Sequence, residues 1–416
     1  MGLKANIDGV LRDITSLYTN INGSLRKIGS AFTNDGGELK QVFCGAAEYV
    51  TYGVRISLSD SNPDSAVVYT DDAVGMTAQS SAWDEMPIFR KIKPCVLKNG
   101  KVNYYLERSD FTKKADGTLA DVSSGNDGDV MIEFPLVGFK IQKSGGYVYV
   151  QITNEPNKDG FSYEAFRRYS ALGNVIKDKL YIGAYLGYTS GDTLRSLSGY
   201  SPSRSITMDA FRSYARNMGT GYGLMSFYPA TLLQCLYLIR QKSLDAQTTC
   251  GFGASNTDKV RYNTGGTKYQ PMFYAGSATY PQNKVFGIED LWGNQQVYLD
   301  GIYTDASRRF IIADNHENSP RYGGARAYDS GFSSNCGSYM SAPQGTNALG
   351  FLPAQMRATH STYFCDAPSV FADRVAVFGG TGDGMYQNGI FTVGLCISTD
   401  AANYPYSNTS ARLMYI

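Results

Sequence analysis

Two histidines, His316 and His360, fall in no H-x-x-x-H or Cys/His spacing, so a zinc site has no ligand pattern to build on. His360, between Thr359 and Ser361, reads as part of a local turn. The seven cysteines, at 44, 95, 235, 250, 336, 365 and 396, are odd in number and widely spaced, without a C-x-x-C pair. That excludes a disulfide framework and a zinc ribbon. Two carboxylate pairs, Asp314 with Glu317 and Glu289 with Asp290, could supply the acid and base of a glycosidase. Turn and cap roles suit all four at least as well. Glu155-Pro156-Asn157 offers oxygens of the kind that ligate calcium, yet it follows a strand pattern and is explained as a turn. Gly379-Gly380-Thr381-Gly382 resembles a phosphate loop, but no lysine follows it. We therefore expect no catalytic residue, no metal site and no cofactor.

The elements that would position a binding surface are clearer. The chain has 416 residues, long enough for two or three domains. Lys+Arg 38 against Asp+Glu 37 leaves a net charge of +1, which gives no overall field towards nucleic acid or an anionic membrane. With 45 glycines, 32 tyrosines and only 18% charged residues, the composition favours a loop-rich β protein whose tyrosines contact ligand at low entropy cost. The first residues, MGLKANIDGVLRD, carry no hydrophobic signal region, and the run Leu232 to Ile239 is too short to cross a bilayer. A soluble chain without an export signal is expected.

Residues 6 to 43 repeat with a period of fourteen: Asn6, Asn20 and Asn34 align, as do Gly9, Gly23 and Gly37, then Leu11, Leu25 and Leu39. The dipeptides Asp8-Gly9, Asn22-Gly23 and Gly36-Gly37 are hairpin signals. Short hairpins bury little surface alone, so residues 1–44 are expected to be an anchoring segment packed on other chains. Residues 45–125 read as a β-rich connecting region and 126–416 as a further domain. Within the latter, Val130 to Gln142 and Gly146 to Thr153 pattern as strands. A helix is expected over 205–219, capped by Thr207, and a nearly buried second one from Pro229. Phe286 to Tyr303 holds Trp292, then Val297, Leu299 and Gly301 alternating with Tyr298, Asp300 and Ile302, the pattern of a strand with one buried face.

The run Gly287-Ile-Glu-Asp-Leu-Trp-Gly-Asn294 before an alternating strand resembles the central motif of C-type-lectin-like domains, shared by formylglycine-generating enzymes and many phage tail proteins. Phe351-Leu-Pro, Thr362 to Asp366, Arg374 to Gly380, Gly389-Ile-Phe391 and Ala411 to Tyr415 follow in order. Together they resemble the C-terminal end of diversity-generating-retroelement variable proteins. The oxidation chemistry of the formylglycine enzymes uses two nearby cysteines, but Cys336 has no partner until Cys365. The resemblance implies an α+β fold: N-terminal β-hairpin repeats, a small β-rich region, and a lectin-like domain with two helices and long loops. It also implies a non-enzymatic phage tail-tip adhesin, sited in the virion, homotrimeric, joined to other tail proteins through 1–44, and binding a host cell-surface protein or glycan. Nucleic-acid binding and membrane insertion are not expected. A polysaccharide-degrading tail enzyme and a purely structural tail component are the alternatives.

The expected ligand surface comprises Thr381, Gly382, Asp383, Gly384, Tyr386, Thr392, Gly394, Cys396, Ile397, Asn403, Tyr404 and Tyr406. Each is encodable from an asparagine codon by adenine substitution, or by that codon itself, whereas Met385 and Gln387 do not fit. Gly379-Gly380, Gly389 to Phe391 and Ala411 to Leu413 would frame them.

Overall fold

The strand Gln296–Thr304 is the one on which the large sheet is assembled in the computed structural model. The structure describes residues 49–168, 174–255, 261–277, 281–312, 325–381, 384–398 and 406–416, without the Met385 side chain, and strand backbones alone within 1–44. Alternation in this strand predicts one buried face, but both are buried: Val297 and Leu299 as expected, and also Tyr298 and Asp300. The reason is a charge pair. Arg212 donates Nη2 and Nε to Asp300 Oδ1 and Oδ2 at 2.7 and 3.1 Å. A two-pronged pair of this kind lets both charges leave water and clamps a helix onto the strand.

Around Gln296–Thr304 the sheet runs in the order Arg326–Tyr328, Phe310–Ile312, Gln296–Thr304, Arg374–Phe378, Val393–Ser398, Ser369–Val370, Cys336–Gly337. Thr409–Ser410 pairs in parallel with Gln296–Thr304. A second sheet orders Lys101–Tyr105, Lys93–Lys98, Asp129–Pro135, Lys179–Gly183, Leu413–Tyr415 and Tyr222–Leu224, and a third Gly138–Ser144, Tyr147–Thr153, Thr51–Ser57 and Val67–Asp71. Strand outweighs helix throughout, a β-rich architecture.

The chain divides into two compact units, Met1–Val50 and Thr51–Ile416. Residues 51 to 125, read from sequence as a connecting region, thus fall in the second unit and supply strands to two of its sheets. Their apolar side chains explain the difference. Trp83 packs edge-on against Tyr52 and Phe89 at 5.2 Å, and Phe89 stacks on Phe286 at 6.4 Å, so one core spans the expected boundary. In the first unit Lys4–Ile7 pairs with Val10–Asp13, Leu17–Ile21 with Ser24–Ile28, and Ser30–Asp35 with Glu38–Cys44, all antiparallel. The dipeptides Asp8-Gly9, Asn22-Gly23 and Gly36-Gly37 lie outside the described residues.

Helix α1, Met208–Arg216, begins at the Thr207 cap, whose hydroxyl accepts the Ala210 N–H at 3.1 Å. It ends before Gly219, at Asn217. Helix α2, Phe227–Gln241, starts two residues ahead of Pro229 and is buried over its whole length. Helix α3, Ala246–Cys250, was not expected: five residues are too few to show a helical period. Its visible mark is Asp245, which caps it by accepting the Thr248 N–H at 2.9 Å. Among the described residues no helix is long and apolar enough to cross a membrane.

Candidate functional site

Successive residues of a strand point to opposite faces, and Val393–Ser398 follows this as far as Leu395, after which its register on Arg374–Phe378 shifts by one residue. Val393, Leu395 and Ile397 are buried, while Gly394 and Cys396 line a cleft of about 400 Å³. Ser369 and Val377, the residues paired with Gly394 on either side, line it too. Gly337, Ser338 and Tyr339 contribute from the edge of the sheet, and Gly380, Thr381, Gly384, Gln387, Asn388 and Thr392 from the loop that joins the two long strands.

That loop is held from behind by polar side chains of the helices. Gln234 of α2 donates to the Ile390 carbonyl at 2.9 Å, and Gln247 of α3 to that of Asn388. Asp366 Oδ2 accepts the Phe391 N–H at 2.7 Å. Burial holds the Asp366 carboxyl well above its ordinary range, against the Phe391 N–H, which favours the charged form. The buried Asn388 amide donates to Ser255 Oγ and the Thr381 carbonyl, closing the loop across its neck. At the loop's start Gly379 has φ +87°, and a Cβ there would sit 2.4 Å from the Leu291 carbonyl oxygen. Only glycine allows the loop to leave the sheet beside the Trp292 segment. Thr392 Oγ1 donates to the Gln387 carbonyl at 2.8 Å.

A chain of rings continues from the cleft. Tyr339 lies 6.3 Å from His360, His360 5.0 Å from Tyr386, and Tyr386 5.4 Å from Phe252, centroid to centroid. Tyr386 and Phe252 are each 45% exposed. His360 is thus both a backbone member of the expected turn, closed by the Thr362 N–H on the Thr359 carbonyl at 3.2 Å, and a ring of an exposed aromatic rim.

Of the residues expected at a ligand surface, Thr381, Gly384, Thr392, Gly394 and Cys396 meet in the cleft, and Tyr386 stands on its rim. Ile397 does not belong with them. It is buried in the core with Phe211, Tyr298 and Leu413, against which Cys396 also packs in part, where the pairing of the two long strands shifts register opposite Val375 and Ala376. Tyr406 is half-buried against that same core. Gly382, Asp383, Asn403 and Tyr404 lie outside the described residues. Sequence reasoning missed Ser338, Tyr339, Ser369, Gln387 and Asn388 in the cleft and Phe252 on the rim. Gln387 was set aside by codon type, and nothing local marks the others. Gln234, an amide within the apolar run of α2, was a legible sign of a buried partner.

The cysteines and carboxylates are otherwise occupied. The six described cysteines are free, and burial raises the Cys396 thiol, opposed by the Ser369 hydroxyl and the Arg374 charge. Glu289 is buried and accepts the Gly265 and Thr267 N–H groups at 2.7 Å each, and burial holds its carboxyl above its usual range. Asp290 Oδ2 accepts from Gln282 and Asn294 at 2.7 and 2.8 Å. Burial and the Glu289 charge push the Asp290 carboxyl up to about 7. Lys284 donates to the Thr267 and Gln270 carbonyls, and burial brings it down to about 7. Arg412, fully buried, donates to the carbonyls of Gly183, Glu289 and Asp290 at 3.0, 2.9 and 2.9 Å. Trp292 Nε1 donates to the Gly251 carbonyl at 2.9 Å. These groups build an interior frame. Asp314, His316 and Glu317 lie outside the described residues, and among the described ones no three His, Cys, Asp or Glu side chains gather as a metal site would require.

The chain matches no protein-family model and no curated protein. Among solved structures it resembles the Major Tropism Determinant U1 Variant, at 11% identity over 93% of this chain and 81% of that one, with a TM-score of 0.29. It likewise resembles the Major Tropism Determinant M1 Variant, at 13% identity over 93% and 80%, with a TM-score of 0.27. Similarity this loose leaves the functional reading to rest on the cleft.

Proposed function

We propose that this chain is a phage tail-tip adhesin, a receptor-binding protein that holds a host cell-surface ligand in the cleft between Tyr339, Ser369 and the loop 380–392. The observation that carries the reading is the arrangement of that cleft. Short, polar or absent side chains line it, exposed rings extend it, and a buried frame supports it from behind. Concave sites with a few convergent polar groups are the usual place for ligands, and rigid elements carrying exchangeable loops are the usual way to present them. The ordered motifs described from sequence point to the same class of protein. In this reading residues 1–44 dock onto other tail proteins, the assembly is a trimer, and the cleft lining is open to diversification. The catalytic alternative loses its described carboxylate pair, since Glu289 and Asp290 are buried and engaged with interior donors.

Incubating the full chain with surface polysaccharide from bacteria to which it adsorbs tests this directly. Saturable binding without released product is expected. Release of oligosaccharide would establish the enzyme instead, and absence of adsorption to any host strain would favour a structural component. A monomer in light scattering at micromolar concentration would remove the trimer.

A further inference from the structure

Three clefts of 400 to 500 Å³ open among the described residues, and they differ in charge. One is lined by Glu164, Arg167 and Arg326, and another by Asp84, Glu107, Arg108 and Arg240. Among the described residues that line the cleft of the proposed function none is acidic, basic or histidine, His360 standing on the rim between Tyr339 and Tyr386. Its polar groups are hydroxyls and amides, Ser338, Ser369, Thr381, Thr392, Gln387 and Asn388, among glycines and the Tyr339 ring. Building on the adhesin reading, we infer that the ligand is a neutral glycan, the end or a short stretch of an uncharged oligosaccharide.

An acidic sugar entering this cleft would give up the water around its carboxylate and meet no cationic side chain among the described lining residues, a cost of several kcal/mol for an unpaired charge. Neutral sugar hydroxyls instead exchange water for side-chain and backbone hydrogen bonds, and their strength does not depend on a partner charge. The C–H face of a pyranose is apolar and can lie on an aromatic face, which Tyr339 offers within the cleft and Tyr386 and Phe252 offer along the rim. Size agrees: about 400 Å³ is in the range of small-ligand sites. A stable protein partner would need roughly 1,200 Å² or more of buried surface, which a concavity of this size does not itself provide.

The test uses labelled full-length protein and a panel of bacterial strains, followed on a strain it binds. Cells are treated with sodium periodate, which cleaves vicinal diols, or with proteinase K, and binding is also challenged with free neutral hexoses and N-acetylhexosamines or with glucuronic and sialic acids. Expected are a loss of binding of about tenfold or more after periodate, retention after proteinase K, and inhibition by a neutral sugar but by neither acid. Gln387→Ala should weaken binding about fivefold, the worth of one hydrogen bond, and Tyr386→Ala should also weaken it. Binding that survives periodate but not proteinase K overturns the glycan while leaving the adhesin reading standing. Inhibition by an acidic sugar in preference to neutral ones overturns its neutrality. Binding to no strain removes the adhesin reading itself, and the glycan with it.

Discussion

The interior around Trp292 and Arg412 and the cleft around Gln387 are neighbours along one stretch of sheet, yet they use polar groups in opposite ways. In the interior, large side chains spend their hydrogen-bonding capacity on backbone: Arg412 alone holds three carbonyls, and Glu289 holds two N–H groups. In the cleft, small side chains lie on a backbone that is fixed largely by residues outside it, Gln234, Gln247 and Asp366, with Asn388 and Thr392 of the lining adding bonds of their own. The first arrangement makes each residue indispensable to folding. The second lets those lining residues that make no such bond, Ser338 and Gln387 among them, change with little effect on the chain that carries them.

The contrast is broken most severely at the frame. Arg412→Met leaves three buried carbonyls unpaired and the buried carboxyl of Asp290 without its cation, and should cost about 3–5 kcal/mol. Trp292→Ala, with the ring completely buried, should cost a similar 3–5 kcal/mol. Urea unfolding checks both. A fully stable Trp292→Ala that no longer bound ligand would make Trp292 a contact residue instead.

Adjacent residues give a sharper comparison. Ile397→Ala removes a core side chain and should cost about 2–5 kcal/mol, whereas Cys396→Ala, one position earlier and facing the cleft, should cost about 1 kcal/mol or less. Thermal denaturation of the pair checks this difference in burial, and equal losses would contradict it.

A pH dependence separates support from surface. The folded Asp366 carboxyl is held above its ordinary 3.8, so its contribution to stability is fully present below that value and is lost as pH rises through the folded value. Asp366→Asn keeps an acceptor for the Phe391 N–H and removes the titration. Its stability relative to the parent should therefore grow as pH is raised above 4, reaching about 1–3 kcal/mol. Melting curves across that range would show a constant offset if the carboxyl did not titrate with folding.

Much of the frame was legible in the sequence because it is local. The Thr207 cap, the apolar cylinder of α2 and the glycine-flanked Trp292 motif each announce themselves within a few residues. The double burial of Gln296–Thr304 was not legible, since it depends on Arg212, far away in sequence, reaching Asp300. The packing of Trp83, Phe89 and Phe286 across the division expected at 125 was not legible either, for the same reason. At the cleft, sequence located the loop and six of the residues in or beside it, but codon type carries no information about burial or strand register. It thus admitted Ile397, which faces inward, and excluded Gln387, which lines the cleft.

The most direct measurement pairs stability with adsorption in one variant, Ser338→Ala with Tyr386→Ala and Gln387→Ala, whose side chains line or rim the cleft. Each substitution lies away from the buried frame, so the summed change in unfolding free energy should stay within about 1 kcal/mol. Binding of the labelled chain to cells that take up the parent should fall at least about tenfold, the equivalent of 1.4 kcal/mol. An equally stable variant that adsorbed as well as the parent would contradict the assignment of the cleft as the receptor-binding site.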